Sequence, residues 1–378
     1  MRLFHAPAVL LLLAAPLFAQ PKFEFKEKKH GGGELKYVDG IPVVTVGGKP
    51  ADIGEQLAQL VVKDTSDPVD LMERFLADNK LKGALPLVKV QAMRLKKGIP
   101  VDHLAEMEAM AKRAERDLDL LITANTIYDL SSGMGCSTLI AEKGRSATGE
   151  VLFGRLFDWT PTKGLSERTA VVVVKPEKKH AFAMITITPI TGVVSGMNDA
   201  GLCVTINEIR LKDSKDKAAF DWEGVPTLLA FRRVLEECTT VAEAEKLLNG
   251  MKRTTAACMT IADAKGGAVL EITPKSVEKR EANKGVCCCC NDFRTDALAT
   301  KSGPCIRLTQ LLKVVEAGDK LGVEDVFAQL HKVNQGKKTM QAMVFEPGKK
   351  VLHLKIGDGT ESATKVKAVT LDVGKMFK

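Results

Sequence analysis

A change of period at Ser131-Ser132-Gly133-Met134-Gly135 divides this chain and limits what it can fold into. Before that point apolar residues recur at helical spacing, as at Leu57, Leu60 and Val61 and again at Leu104, Met107, Met110 and Ala111, with charges between them. Residues 51–130 are therefore predicted to be helical, punctuated by Pro68 and Pro86. After it come short runs of strand character at 137–142, 150–159, 169–175, 182–188 and 201–207. Turns are expected at 144–149, at Asp263-Ala264-Lys265-Gly266-Gly267 and at Pro347-Gly348. One amphipathic helix is predicted over 228–248, two more at 303–316 and 322–333, and an extended stretch over 37–46. Strands gathered before and after a central helical block predict an α+β fold with helices layered on antiparallel sheets. The 378 residues supply ample core for one large domain or two smaller ones.

Composition removes several function classes. A formal charge of +8 spread along the chain gives no basic patch for nucleic acid, and two Trp with two Tyr make no stacking platform. There is no Walker loop, GxGxxG, HExxH or GxSxG. The six histidines, His5, His30, His103, His180, His331 and His353, lie far apart in sequence, so a metal site built on His has no support. At the start, Arg2 followed by the apolar run 8–18 and Leu17-Phe18-Ala19 reads as a secretory signal peptide cut after Ala19. The run is shorter than the roughly 20 residues of a spanning helix, and no later segment is apolar enough to span. The expected location is periplasmic or extracellular.

Nine cysteines are present: Cys136, Cys203, Cys238, Cys258, Cys287, Cys288, Cys289, Cys290 and Cys305. An odd number leaves one thiol free or paired between molecules in an oxidising compartment. On a strand Cys287 and Cys289 would face one way, Cys288 and Cys290 the other, so the run cannot close one tetrahedral metal site. Burial as small hydrophobes is the reading adopted. A thiol redox or metal protein using Cys287–Cys290 is one alternative, and a non-catalytic exported binding protein is another.

Four short segments carry chemistry in combination: Gly135-Cys136-Ser137-Thr138, Gly154-Arg155-Leu156-Phe157-Asp158-Trp159, Gly196-Met197-Asn198-Asp199-Ala200-Gly201-Leu202 and Asn291-Asp292-Phe293-Arg294. In this order they resemble the N-terminal-nucleophile hydrolases, in the penicillin acyltransferase branch. Acid ceramidase and the bile-salt hydrolases are more distant likenesses. Upstream, the segment from Gly48 to Gly54 and the helical stretch from Leu104 to Asn125 are similar too, so the resemblance spans 45–365.

The resemblance implies a four-layer αββα sandwich with a helical N-terminal segment packed on it. It implies self-cleavage between Gly135 and Cys136, giving pieces 20–135 and 136–378 that stay associated. Cys136 would then be a terminal nucleophile whose own α-amine, titrating near ~7.7–8, serves as base. That suits a chain in which no His is placed to help a Cys. Arg155 would hold the thiolate and a substrate oxygen, and Asp158 would orient the α-ammonium. Residues three apart on a flat strand face opposite ways, so both reach one site only if the strand bends or ends there. Asn291 is the oxyanion candidate through its amide N–H. Arg294, Asn198 and Trp159 are substrate-binding candidates, with Asn207 a weaker one; Asn198 equally suits a cap on the turn before Gly201. The implied substrate is a small N-acyl amide or acyl donor, cleaved or transferred through a Cys136 thioester, with no metal, organic cofactor or nucleic acid.

Overall fold

The computed structural model describes residues 20–131, 133–300 and 303–378; the predicted signal peptide lies outside the described residues. The chain opens with three strands, β1 (Lys28–His30), β2 (Gly33–Val38) and β3 (Ile41–Gly48). Asp39 and Gly40, both at positive φ, make the tight turn between the last two. Five helices follow: α1 (Pro50–Leu57), prolonged by a π turn over Ala58–Val62, then α2 (Pro68–Asp78), α3 (Leu85–Leu95), α4 (Val101–Ala114) and α5 (Leu118–Leu130). Pro68 opens α2 while Asp67 accepts the Val69 N–H, so this proline marks a start rather than a break. α5 is buried along Leu120–Asp129 because it packs on α3, α4 and α6 together.

The strand region runs β4 (Gly135–Ala141), β5 (Leu152–Asp158), β6 (Thr169–Pro176), β7 (Phe182–Ile187), β8 (Ser195–Asn198) and β9 (Cys203–Glu208). The helix predicted over 228–248 is two, α6 (Thr227–Glu237) and α7 (Val241–Asn249), because Thr240 caps the second by accepting the Glu243 N–H. Then come β10 (Ala257–Ala262), β11 (Gly267–Ile272), β12 (Val277–Glu281), β13 (Val286–Cys289), α8 (Ile306–Ala317), α9 (Val323–His331), β14 (Thr339–Glu346), β15 (Val351–Ile356), β16 (Val369–Asp372) and α10 (Val373–Met376).

Two sheets result. One has ten strands in the order β1-β2-β3-β6-β7-β8-β9-β10-β11-β12, the other six in the order β13-β4-β5-β14-β15-β16. Ile140, Phe153 and Phe345 from the second sheet interlock with Val171, Val173 and Met197 from the first. Helices α6 and α7 cover the outer face of the large sheet, and α8 and α9 cover the small one. The architecture is the expected αββα sandwich. The N-terminal segment differs from expectation in one respect. It is not only helical: β3 pairs in parallel with β6, so its three strands extend the large sheet. The alternating apolar pattern at Ile41, Val43, Val44 and Val46 explains why, since both faces of β3 are buried.

Candidate active site

The site grows from the β4–β5 hairpin. Antiparallel register sets Cys136 opposite Phe157, Thr138 opposite Arg155 and Gly135 opposite Asp158. Directly opposed residues share a face, so the Cys136 thiol and the Arg155 side chain both point between the sheets. Arg155 crosses to the other sheet, where its Nε donates to Ser195 Oγ (3.1 Å) and its Nη1 to the Ile206 carbonyl (2.5 Å). Its Nη2 is buried and has no hydrogen-bond partner among the described residues. Burial pushes the Cys136 thiol pKa up, the Arg155 charge pulls it down and Asp158 pushes it up. Both charges therefore act on this sulfur.

Asp158 is the last residue of β5, which meets the condition set by strand geometry. Its Oδ1 accepts from Thr339 Oγ1 (2.5 Å) and its Oδ2 from Gln335 Nε2 (2.7 Å). The Cys136 N–H, expected to become the group that Asp158 orients, is donated in the intact chain to Asn291 Oδ1 (3.0 Å).

That contact adds a positioning role to the one expected of Asn291. Its Nδ2 donates one hydrogen to the Glu208 carbonyl (2.9 Å), while Oδ1 accepts both the Cys136 N–H and Arg307 Nη2 (2.7 Å). Two donors on one oxygen and a carbonyl on the nitrogen fix the amide orientation. Asn291 thus positions the Cys136 nitrogen, with one of its two Nδ2 hydrogens held by the Glu208 carbonyl.

Arg307 and Glu208 were not singled out from the sequence. Arg307 stands in the first turn of α8, with Nη1 on the Cys136 carbonyl (2.7 Å) and on Ser137 Oγ (2.9 Å), and 3.9 Å from Asp158 Oδ2. Glu208 ends β9, and its carboxylate accepts the N–H groups of Gly133 (2.9 Å) and Met134 (2.7 Å). Burial pushes its pKa up against those two hydrogen bonds. A Cβ at Gly135 would meet Gln335 Nε2 at 2.2 Å, so a larger residue there would displace the side chain that donates to Asp158. An arginine in a first helical turn and a glutamate at a strand end have no local signature, because only tertiary register brings them to Cys136.

The remaining candidates separate. Asn198 is a structural cap and not a substrate ligand: buried, it donates to the Leu235 (2.9 Å) and Cys238 (2.7 Å) carbonyls and accepts from Ala200 and Leu202. Every polar position on it is used within the fold. Arg294 is anchored by its main chain, whose N–H donates to the buried Glu271 carboxylate (2.8 Å); the guanidinium at Cys136 comes from Arg307 instead. Trp159 lines an apolar cavity with Leu71, Phe75, Leu120, Ile127 and Ile190. Its ring contacts Phe75 (centroids 4.6 Å) and Phe157 (5.7 Å), so aromatic surface runs from beside Cys136 into that cavity. Asn207 accepts from Thr260 Oγ1 (3.1 Å), and its Nδ2 is buried without a partner among the described residues.

The four consecutive cysteines behave as strand alternation predicts. Cys287 and Cys289 lie in the core between the sheets, Cys288 and Cys290 in the core under α8 and α9. Elsewhere Asp102, His103 and Glu236 bring ligand atoms within 4.8 Å of one another. The cation between those carboxylates is already supplied, since Lys179 Nζ binds both.

An uncharacterised protein of Archaeoglobus fulgidus is 24% identical over 224 residues, 52% of this chain and 37% of that protein; the chain thus spans little more than a third of this relative. Among solved structures, a Caenorhabditis elegans ortholog of N-acylethanolamine-hydrolyzing acid amidase gives a TM-score of 0.44 at 19% identity, covering 56% of this chain and 93% of that one. A conjugated bile acid hydrolase from Clostridium perfringens gives 0.42 at 16%, covering 62% and 96%. A penicillin V acylase from Agrobacterium tumefaciens gives 0.41 at 13%, covering 58% and 83%. The family model for acyl-coenzyme A:6-aminopenicillanic acid acyl-transferase matches residues 145–360, a span that holds Arg155, Asp158, Glu208, Asn291 and Arg307. That match covers more than half of the chain, and the chain belongs to the acyl-coenzyme A:6-aminopenicillanic acid acyl-transferase family.

Proposed function

We propose that this protein is an exported, self-processing cysteine amidase or acyltransferase acting through Cys136. The observation that carries the reading is the unspent Arg155 Nη2, a buried charged donor beside a buried thiol. Leaving such a donor unpaired is costly, and a thiolate or a substrate oxygen is the partner that would satisfy it.

Processing follows from the residues around the Gly135–Cys136 bond. Glu208 grips the two N–H groups just upstream, and Asn291 grips the Cys136 nitrogen. The Cys136 sulfur adds to the Gly135 carbonyl carbon, the C–N bond breaks, and the nitrogen keeps the thiol proton. Water then hydrolyses the resulting thioester, releasing Gly135 as a carboxylate and Cys136 as a free terminus. In turnover the α-amine takes the thiol proton, the thiolate attacks an acyl carbonyl, and the amine passes the proton to the departing nitrogen. The acyl-enzyme goes to water or to a second amine. Asp158, opposite Gly135 in the β4–β5 register and acting on the Cys136 thiol, is the carboxylate that would accept a hydrogen from the new ammonium.

The apolar cavity at Trp159, about 40 Å³ as it stands, supports the apolar end of an acyl group, since it offers aliphatic and aromatic walls and little polar surface. Residues of α2 and α5 form much of that wall, so the N-terminal piece remains necessary after cleavage. Retention of the two pieces is supported by the β3–β6 pairing and by Arg232 of α6 bound to Glu106 of α4.

The test is intact mass and N-terminal sequencing of the purified protein beside Cys136→Ala, followed by a panel of N-acyl amides of increasing acyl length. Two chains, one starting at Cys136, with hydrolysis that rises with acyl length and is lost in the variant, is the expected result. A single chain starting after Ala19, silent toward every amide, would overturn the reading.

A further inference from the structure

We propose that Arg307 is a positioning residue that lowers the pKa of the Cys136 α-amine, so that it is a free base at neutral pH. The inference rests on the terminal-nucleophile reading above and adds to it the residue that sets its working pH.

The argument begins with a conflict inside that reading. An α-amine is a base only when unprotonated, and the ordinary chain terminus titrates near ~7.7–8. Two carboxylates face this nitrogen's surroundings, Asp158 at the end of β5 and Glu208 at the end of β9. Both favour the ammonium form. Of the cations, Arg155 on β5 is committed to the other sheet and the thiol side. Asp292, on the loop after β13, holds the Cys305 N–H (3.2 Å). Arg210 lies beside Glu208, and Arg294 follows Asn291 in the loop after β13; Arg307 on α8 is singled out by its contacts with Cys136 and Asn291.

Its Nη2 shares the acceptor Asn291 Oδ1 with the Cys136 nitrogen, at 2.7 and 3.0 Å. Its Nη1 sits on the carbonyl of Cys136 itself, at 2.7 Å. Three effects act in the same direction. The guanidinium charge lies close to the amine and repels its protonated form. The shared oxygen has already given a lone pair to a charged donor, so it is a poorer acceptor for an ammonium. A cation on the adjacent carbonyl draws electron density from the α-carbon. The Arg307 contacts with Asn291 and with the Cys136 carbonyl do not involve the peptide bond that self-cleavage breaks. A guanidinium also suits the place because its fixed fork spans two acceptors and it stays charged at every working pH.

The experiment uses the processed wild-type protein labelled with 15N-cysteine, together with Arg307→Lys and Arg307→Met. N-terminal sequencing of each comes first. The α-nitrogen shift and the acid limb of kcat/KM are then followed from pH 5 to 9. The expected wild-type α-amine titrates below the ordinary terminal range, by about one pH unit for a charge at this distance. Arg307→Met moves the acid limb up by about one unit; Arg307→Lys keeps the limb in place while lowering kcat, because the charge remains and the fork is lost. An amine that titrates at or above the ordinary range in the wild type overturns the proposal, as does a limb that moves equally in both variants. If Arg307→Met stays uncut, the wild-type titration decides. An uncut wild-type chain sinks the terminal-nucleophile reading, and this proposal with it; a cut chain with an unmoved limb sinks only the role of Arg307.

Discussion

Two buried charge clusters lie in this fold, and they are built on opposite terms. Where α4 meets α6, Arg232 holds Glu106 with both Nη atoms (2.7 and 2.6 Å) and Glu236 with Nε (2.8 Å). Lys179 and His103 add contacts to Glu236 at 2.6 and 3.0 Å. Although burial pushes the Glu236 pKa up, the Arg232 charge, with His103 and Lys179, holds it well below the usual carboxylate range. All three Arg232 nitrogens there meet carboxylates, and His103 Nδ1 is the buried atom left without a partner among the described residues. Around Cys136 the terms reverse: the thiol and Glu208 are both pushed up, and Arg155 keeps an unused donor. An arginine saturated with carboxylates stabilises one arrangement. An unsaturated one stores a demand that a reacting group can meet.

The contrast is broken most directly by Arg232→Met. It leaves Glu106 and Glu236 buried without their cation, which costs about 3–5 kcal/mol of stability. Urea unfolding should show that loss, with kcat of the folded fraction unchanged. A fall in kcat with little change in midpoint would mean that the α4–α6 cluster belongs to the chemistry. Arg155→Met should do the converse. It removes the donor facing the thiol and should lower kcat by about 10²- to 10³-fold, with a stability change below that of Arg232→Met. Equal damage to both properties in both variants would erase the distinction.

Much of this was readable before any coordinates, and the reason is locality. Gly135, Cys136, Arg155 and Asp158 belong to one hairpin, so pattern and register are contained in a short stretch of sequence. Glu208, Arg307, Gln335 and Thr339 come from strand ends and a helix start far along the chain, selected by sheet order and helix phase. Asn198 and Asn291 show the same limit from the other side. Each sits beside turn-forming residues, and only their partners separate the cap from the residue on Cys136. The β3–β6 pairing was missed for the related reason that parallel partners lie far apart in sequence.

A pH series sharpens the comparison through two acids of opposite sign. Burial raises Asp129, at the end of α5, from the ordinary 3.8 to about 6, although Thr254 and Thr227 donate to it. The folded chain therefore holds this proton more tightly than the unfolded one. Its stabilisation is full below about pH 4 and is lost as the pH rises through 6, on the order of 3 kcal/mol. Glu236, held low, acts the other way: its contribution is present above the ordinary glutamate range and is lost only in strong acid. Melts of wild type and Asp129→Asn between pH 4 and 7 should show a fall on the way up that the variant lacks. A parallel slope in both would place the titrating acid elsewhere.

The smallest effect concerns reactivity. Cys305, half-buried at the start of α8, is drawn down to about 6, first by a hydrogen bond from the Cys290 thiol and then, against burial, by the Leu308 N–H and the Arg307 charge. Cys136 in the uncut chain is buried and pushed up, so proximity to one site gives two thiols opposite characters. In a chain kept uncut by Gly135→Pro, iodoacetamide at pH 7 should label Cys305 first, about two- to threefold faster than an ordinary thiol, since thiolate fraction rises slightly faster than nucleophilicity falls. The labelling rate should climb through pH 6 and level off by pH 8. Peptide mapping would sink this if Cys305 followed the ordinary curve through pH 9, or if Cys136 were labelled before cleavage. Labelling of Cys287 or Cys289 ahead of both would restore the thiol-redox alternative, because those side chains reach solvent only if the two sheets part.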